Sequence, residues 1–153
     1  MTVVTFHVGT ALCGADVTSV QEVLRHQELT PIPLASEATP GLLHLRGQIL
    51  TGIDLRSVFA LEAREASSRP VCVIVRDGDS AASLLADRIG EVVEVDLDAI
   101  QAPPAHWEGP MREYLTGVSD RGAQLLHLLD VTRILGMESI TEQDAEAEHG
   151  SAR

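Results

Sequence analysis

Six histidines, two cysteines and 23 acids are the residues of this 153-residue chain that could ligate a metal or move protons. Their spacing supports neither. His7, His26, His44, His106, His127 and His149 never recur at i, i+4, the interval that sets two imidazoles on one helix face, so no metal site is expected. Asp96-Leu97-Asp98 lacks the glycine and terminal glutamate of a calcium loop. Cys13 and Cys72 stand far apart without a Cys-x-x-Cys pattern and read as two free structural thiols. All 11 basic residues are arginine, and there is no lysine or asparagine. That excludes a phosphate-loop lysine, a Schiff-base lysine and Asn-linked glycosylation. No GxSxG, GxxxxGK[ST], HExxH or GxGxxG occurs. The expectation is a protein with no catalytic residues and no cofactor.

The charge balance narrows the partners. A net charge of −12 opposes binding to nucleic acid or to an anionic membrane through a general field, and the 3% aromatic content offers no platform for stacking bases. No apolar run approaches the roughly 18 residues of a membrane span, and no secretory signal precedes the first strand. A cytoplasmic protein of a reducing compartment is the reading. One charge stands out locally, Arg46 in Leu45-Arg46-Gly47, which follows Pro40-Gly41-Leu42-Leu43-His44. A guanidinium beside an apolar strand must be solvated or paired. Glu22 is the plausible mate, and an arginine on a solvated hairpin is the plainer alternative.

The elements that must hold such a pair are mostly strands. Val3–Val8 is β-branched and apolar, Gly9-Thr10 turns it, and Ala11–Ala15 returns. Val71–Val75 reads as a buried strand, and Asp77-Gly78 leads into a tight hairpin toward Ser83–Ala86. Gln48–Ile53, Glu91–Val95 and Gln124–Leu129 are further strands. Val17, Val20, Val23 and Leu24 share one face at helical spacing, which predicts a short helix over 17–24 carrying Glu22. Asp54 and Asp130 each precede a helix-like turn, 55–61 and 131–137, and can cap it.

An internal repeat organises these pieces. With one residue inserted at Ala123, 46–55 matches 121–131, with Arg46/Arg121, Gly47/Gly122, Gln48/Gln124, Leu50/Leu126 and Asp54/Asp130 identical. Upstream, Ala15-Asp16 matches Ala86-Asp87. The four recurring aspartates therefore read as caps and strand ends rather than as paired catalytic carboxylates. The expected fold is mainly β: two small SH3-like five-stranded barrels related by duplication, with short helices. Residues 1–66 would form the first barrel and 67–137 the second. The stretch 138–153, with five acids and few apolar residues, would be a disordered tail.

From Val3 to Met137 the chain resembles the CheW coupling proteins of bacterial chemosensory systems. The matching stretches are Val20-Gln21-Glu22-Val23, Thr30-Pro31-Ile32-Pro33, Gly41 followed by Leu45-Arg46-Gly47, and Ile53-Asp54-Leu55-Arg56. In the second half they are 86–92, Pro103-Pro104, 114–118 and Leu128-Leu129-Asp130. The resemblance implies a non-enzymatic adaptor linking methyl-accepting chemoreceptor signalling tips to a CheA-type histidine kinase. Receptor contact would use Val20, Gln21, Glu22, Gly41, Arg46 and Gly47, near the groove between the barrels. Kinase contact would use apolar surface of the first barrel, by residues the sequence does not identify. The chain departs from the family pattern at Cys13 and Thr51-Gly52, which implies receptor binding as the sturdier activity and admits an accessory member that binds receptors only. A small-molecule sensor or enzyme on a duplicated barrel is the rival of another class. A freestanding kinase regulatory domain lacks any phosphotransfer segment.

Overall fold

The computed structural model describes residues 1–137; the expectation for 138–153 lies outside the described residues. Eleven strands run β1 Thr2–Val8, β2 Ala11–Asp16, β3 Val20–Leu24, β4 Thr30–Pro31, β5 Gly41–Leu45, β6 Gln48–Asp54, β7 Val71–Asp77, β8 Ser80–Ala86, β9 Arg88–Glu94, β10 Leu115–Asp120 and β11 Leu125–Leu129. Two single-turn helices, α1 Leu55–Val58 and α2 Pro110–Glu113, and a final helix whose described part is 131–137 complete the fold, with 3₁₀ turns at Val17–Ser19 and Leu97–Ala99. No helix among the described residues is long and apolar enough to cross a membrane.

The strands form two sheets, ordered β10-β11-β2-β1-β9 and β3-β7-β8-β6-β5-β4. The halves of the repeat exchange their leading hairpins. β1 and β2 pair with β9 and β11 of the second half, while β7 and β8 pair with β3 and β6 of the first. Both exchanges use the same geometry: an antiparallel partner on one side (β1–β9, β7–β3) and a parallel one on the other (β2–β11, β8–β6). Each sheet thus draws strands from both 1–66 and 67–137. A hairpin alone is marginal in water and gains its stability from further strands, here supplied by the other half. One sheet has six strands rather than five. In each the terminal strands, β9 and β10 or β3 and β4, do not pair to close a ring among the described residues.

Strand alternation divides the apolar residues among three cores. Phe6, Val8, Val73, Val75, Ile53, Leu55, Leu84 and Ile134 fill the largest, between the sheets. Leu43, Leu50, Cys72, Ile74 and Leu85 fill the curl of the six-stranded sheet. Val3, Val95, Leu126 and Leu128 fill that of the five-stranded one. β1 and β7 serve two cores each, with even residues of β1 and odd residues of β7 facing the neighbouring sheet. Burying each large side chain of this kind stabilises the fold by about 1.5–3 kcal/mol.

The expected helix over 17–24 is only a 3₁₀ turn, capped by the Asp16 carboxylate accepting from Thr18 N–H, followed by strand β3. The spacing of Val20, Val23 and Leu24 mimics a helix because a bulge at Gln21 breaks the two-residue alternation. The repeat also needs a register correction. The pairings equate Gly9 with Gly78, Val20 with Ile89 and Glu22 with Glu91, a constant separation of 69 residues, so Asp16 does not correspond to Asp87. The capping aspartates behave as expected: Asp54 accepts from Arg56 N–H and Asp130 from Arg133 N–H.

Candidate functional site

The turn between β5 and β6 has two residues, Arg46 and Gly47, with Leu45 facing Gln48 across it. Both turn residues have positive φ, +48° and +82°. A two-residue hairpin of this kind matches the twist of its strands, and its first position favours Asn, Asp or Gly. Arginine stands there against local preference, and what it gains is reach. Its Nη1 and Nη2 donate to Oε1 and Oε2 of Glu22 at 2.5 and 3.1 Å. This two-point pairing of guanidinium and carboxylate fixes direction as well as distance. The Glu22 side chain is 21% exposed and that of Arg46 69%, so the pair sits at the surface with the acid on the inner side.

On β3, Val20 and Val23 pack toward the core between the sheets, whereas Leu24 packs into the curl of the six-stranded sheet. Glu22 shares the face of Leu24. The pair therefore links edge strand β3 to the distant β5–β6 turn at one end of the six-stranded sheet's curl. Arg76 on β7 adds to the same end, with Nε donating to Gln21 Oε1 at 3.0 Å and Nη2 to Gln48 Oε1 at 3.4 Å. The structure thus brings Gln21, Glu22, Arg46 and Gly47 together. It keeps Gly41 apart, at the far end of β5, where a Cβ would lie 2.6 Å from the Thr30 carbonyl oxygen. Gly41 is there so that β4 can approach. Arg76 and Gln48 escaped the sequence reading; a cation ending the apolar run 71–75 is the signal that could have found Arg76.

A second charged cluster joins the sheets. Asp87, just after β8, accepts from Gly9 N–H at the β1–β2 turn (2.6 Å), from Arg56 Nη2 (2.7 Å) and from Arg64 Nη2 (3.1 Å). Arg64 also donates to Asp54 at 2.7 Å. Burial pushes the Asp87 carboxyl upward, but Arg56, the Gly9 amide and Arg64 outweigh it and hold the group at about 2. All four charged side chains are at most 22% exposed. This cluster is a structural clamp. Among the described residues no group of three His, Cys, Asp or Glu side chains could hold a metal ion.

The CheW-like domain model matches residues 2–139, which include every strand of both sheets. The chain belongs to the CheW family. It is 31% identical to the chemotaxis protein CheW of Treponema pallidum (strain Nichols), over 90% of this chain and 83% of the relative. It is 27% identical to chemotaxis protein CheW of Klebsiella aerogenes, over 91% and 84%. Among solved structures, the scaffolding protein TtCheW from Thermoanaerobacter tengcongensis superimposes with a TM-score of 0.76 at 27% identity, covering 84% of this chain and 87% of that one. The mainly β, two-sheet architecture is therefore that of a CheW scaffold. Cys13, Thr51 and Gly52, the positions at which the resemblance led us to expect departures from the family pattern, are all buried.

Proposed function

We propose that this CheW-family chain is a non-enzymatic chemosensory adaptor, which couples chemoreceptor signalling tips to a CheA-type histidine kinase in the cytoplasm. Gln21, Glu22, Arg46 and Gly47 form the centre of its receptor-binding surface in this reading. Val20 and Gly41 act indirectly, the first by anchoring β3 beneath that surface and the second by admitting β4 at the far end of β5. The relatives' names support the reading, since they are chemotaxis proteins and the structural neighbour is a scaffolding protein. The observation that carries it is Arg46 itself. A left-handed arginine, exposed and locked by two hydrogen bonds to Glu22, presents a rigid, directional surface where local preference alone would select a small residue.

Because Cys13, Thr51 and Gly52 are buried, they give no ground for a lost kinase contact. The accessory reading loses its support, and both couplings are expected. Titration calorimetry of the full chain with a receptor signalling domain and, separately, with a kinase regulatory domain tests this. Arg46→Glu should lower receptor affinity by about tenfold or more, as loss of a central arginine anchor does, and leave kinase affinity within about twofold. Unchanged receptor binding, or binding to neither partner by the unmodified chain, would overturn the reading.

A further inference from the structure

The duplication sets a second strand end beside the one just described, and the two differ in one respect. β3 and β9 are equivalent strands, both bulged at the same point, and Val20-Gln21-Glu22-Val23 corresponds to Ile89-Gly90-Glu91-Val92. On the leading hairpins Arg76 corresponds to His7, and on the last strands Gln48 corresponds to Gln124. Around the six-stranded sheet the end is full, because Arg46 and Arg76 lie against Glu22, Gln21 and Gln48. Around the five-stranded sheet it is an open groove of about 550 Å³, whose lining includes His7, Glu91, Arg121 and Gln124.

Both arginines of the filled end are missing from the open one. His7 is shorter than Arg76, and burial followed by the neighbouring Arg88 charge lowers its pKa, which favours the uncharged ring. At the turn, the strand register puts Arg121 opposite Gln124, as Leu45 is opposite Gln48, so the counterpart of Arg46 is Gly122. Arg121 turns instead to the Glu94 carbonyl oxygen at 3.1 Å. Among the described residues the Glu91 carboxylate and the Gln124 side chain are left without a hydrogen-bond or ion-pair partner. We propose that this groove accepts an arginine side chain from a partner protein, with the Glu91 carboxylate and Gln124 amide oxygen receiving its guanidinium as Glu22 and Gln48 receive the chain's own arginines. The carboxylate offers two lone-pair directions to the planar fork, which a lysine ammonium would not use as well. Glu91 is the acid of the groove's lining, and Arg121, its arginine, is held by the Glu94 carbonyl oxygen rather than by Glu91; the net charge of −12 adds a general field that favours a cationic occupant.

The proposal is independent of the coupling reading and is tested without either of its partners. The ¹⁵N-labelled full chain is titrated with the blocked tripeptide Ala-Arg-Ala and with the same peptide carrying citrulline, which keeps the shape and removes the charge. Amide shifts are expected at His7, Gly90, Glu91 and Gln124 with the arginine peptide, and affinity about fivefold or more lower with citrulline. Glu91→Gln should abolish these shifts while Glu22→Gln leaves them. His7→Arg, which restores a guanidinium in cis, should also abolish them, and a dispersed spectrum in each variant verifies folding. No shifts, equal shifts with citrulline, persistence in Glu91→Gln, or a preference for Ala-Glu-Ala acting on Arg121 would each overturn the proposal.

Discussion

Arg46 meets Glu22 from a backbone that few arginines adopt, with φ at +48° in a two-residue turn whose second residue, Gly47, is at +82°. The side chain spans from that turn to an edge strand that the sheet order places four strands from β6 when both ends are counted. The surface so formed is rigid because the turn admits little freedom and the pairing is two-pointed.

Arg46→Asn separates the roles of this residue. Asparagine tolerates the left-handed turn better than arginine does, so thermal denaturation should show a melting temperature unchanged within a few degrees or raised. Receptor binding should fall as it does for Arg46→Glu. Cooperative unfolding at a much lower temperature would mean that the pair is needed to hold the curl shut.

Gly41→Ala should act on folding and not on the partner surface directly. Its new methyl group would sit 2.6 Å from the Thr30 carbonyl oxygen and 3.1 Å from Leu29 Cβ. Displacing β4 to relieve that contact should cost about 1–3 kcal/mol in denaturant titration. Gly47→Asn, with open space around its Cβ and a turn asparagine can adopt, should cost far less.

Asp87 makes stability fall in acid. Its folded pKa, about 2, lies below the ordinary carboxylate value, so the stabilisation is complete above about pH 4 and is lost as the pH falls toward 2. The contribution at neutral pH is of order 2 kcal/mol, and Asp87→Asn should be less stable at pH 7 yet less sensitive between pH 4 and 2. Urea midpoints measured across that range check the sign; a parallel loss in both proteins would assign the acid sensitivity elsewhere.

Cys13 should not react in the native state. It is fully buried, and burial, with the Asp87 charge second, pushes its thiol up to about 12. Thiolate is the reactive form, so an aromatic disulfide reagent at pH 8 should titrate neither Cys13 nor the equally interior Cys72 until denaturant is added. A fast-reacting thiol in the folded protein would place one of them at an accessible surface.

The mainly β class, most strand positions, the caps at Asp54 and Asp130 and the duplication were legible in the residues themselves, as was Glu22 as a candidate mate for Arg46, a pairing the structure then chose over a solvated arginine. Each of these depends on local chemistry: β-branched runs, turn glycines, capping carboxylates, or a cation beside an apolar strand whose charge needs a mate. That the hairpins β1–β2 and β7–β8 change places between halves emerges from the three-dimensional pairing alone. A hairpin's own residues specify its turn and alternation, but its outer edges accept any strand of suitable pattern, and the duplication makes β3 resemble β9 and β6 resemble β11. Tertiary pairing likewise decided that Val20–Leu24 is a strand, since a bulge at Gln21 disguises its alternation as helical spacing. It also decided that Arg121, identical in the repeat to Arg46, stands one register position away from its place. A single residue of slip in a turn redirects a side chain completely, and no count along the chain reveals on which side of the glycine the slip is absorbed.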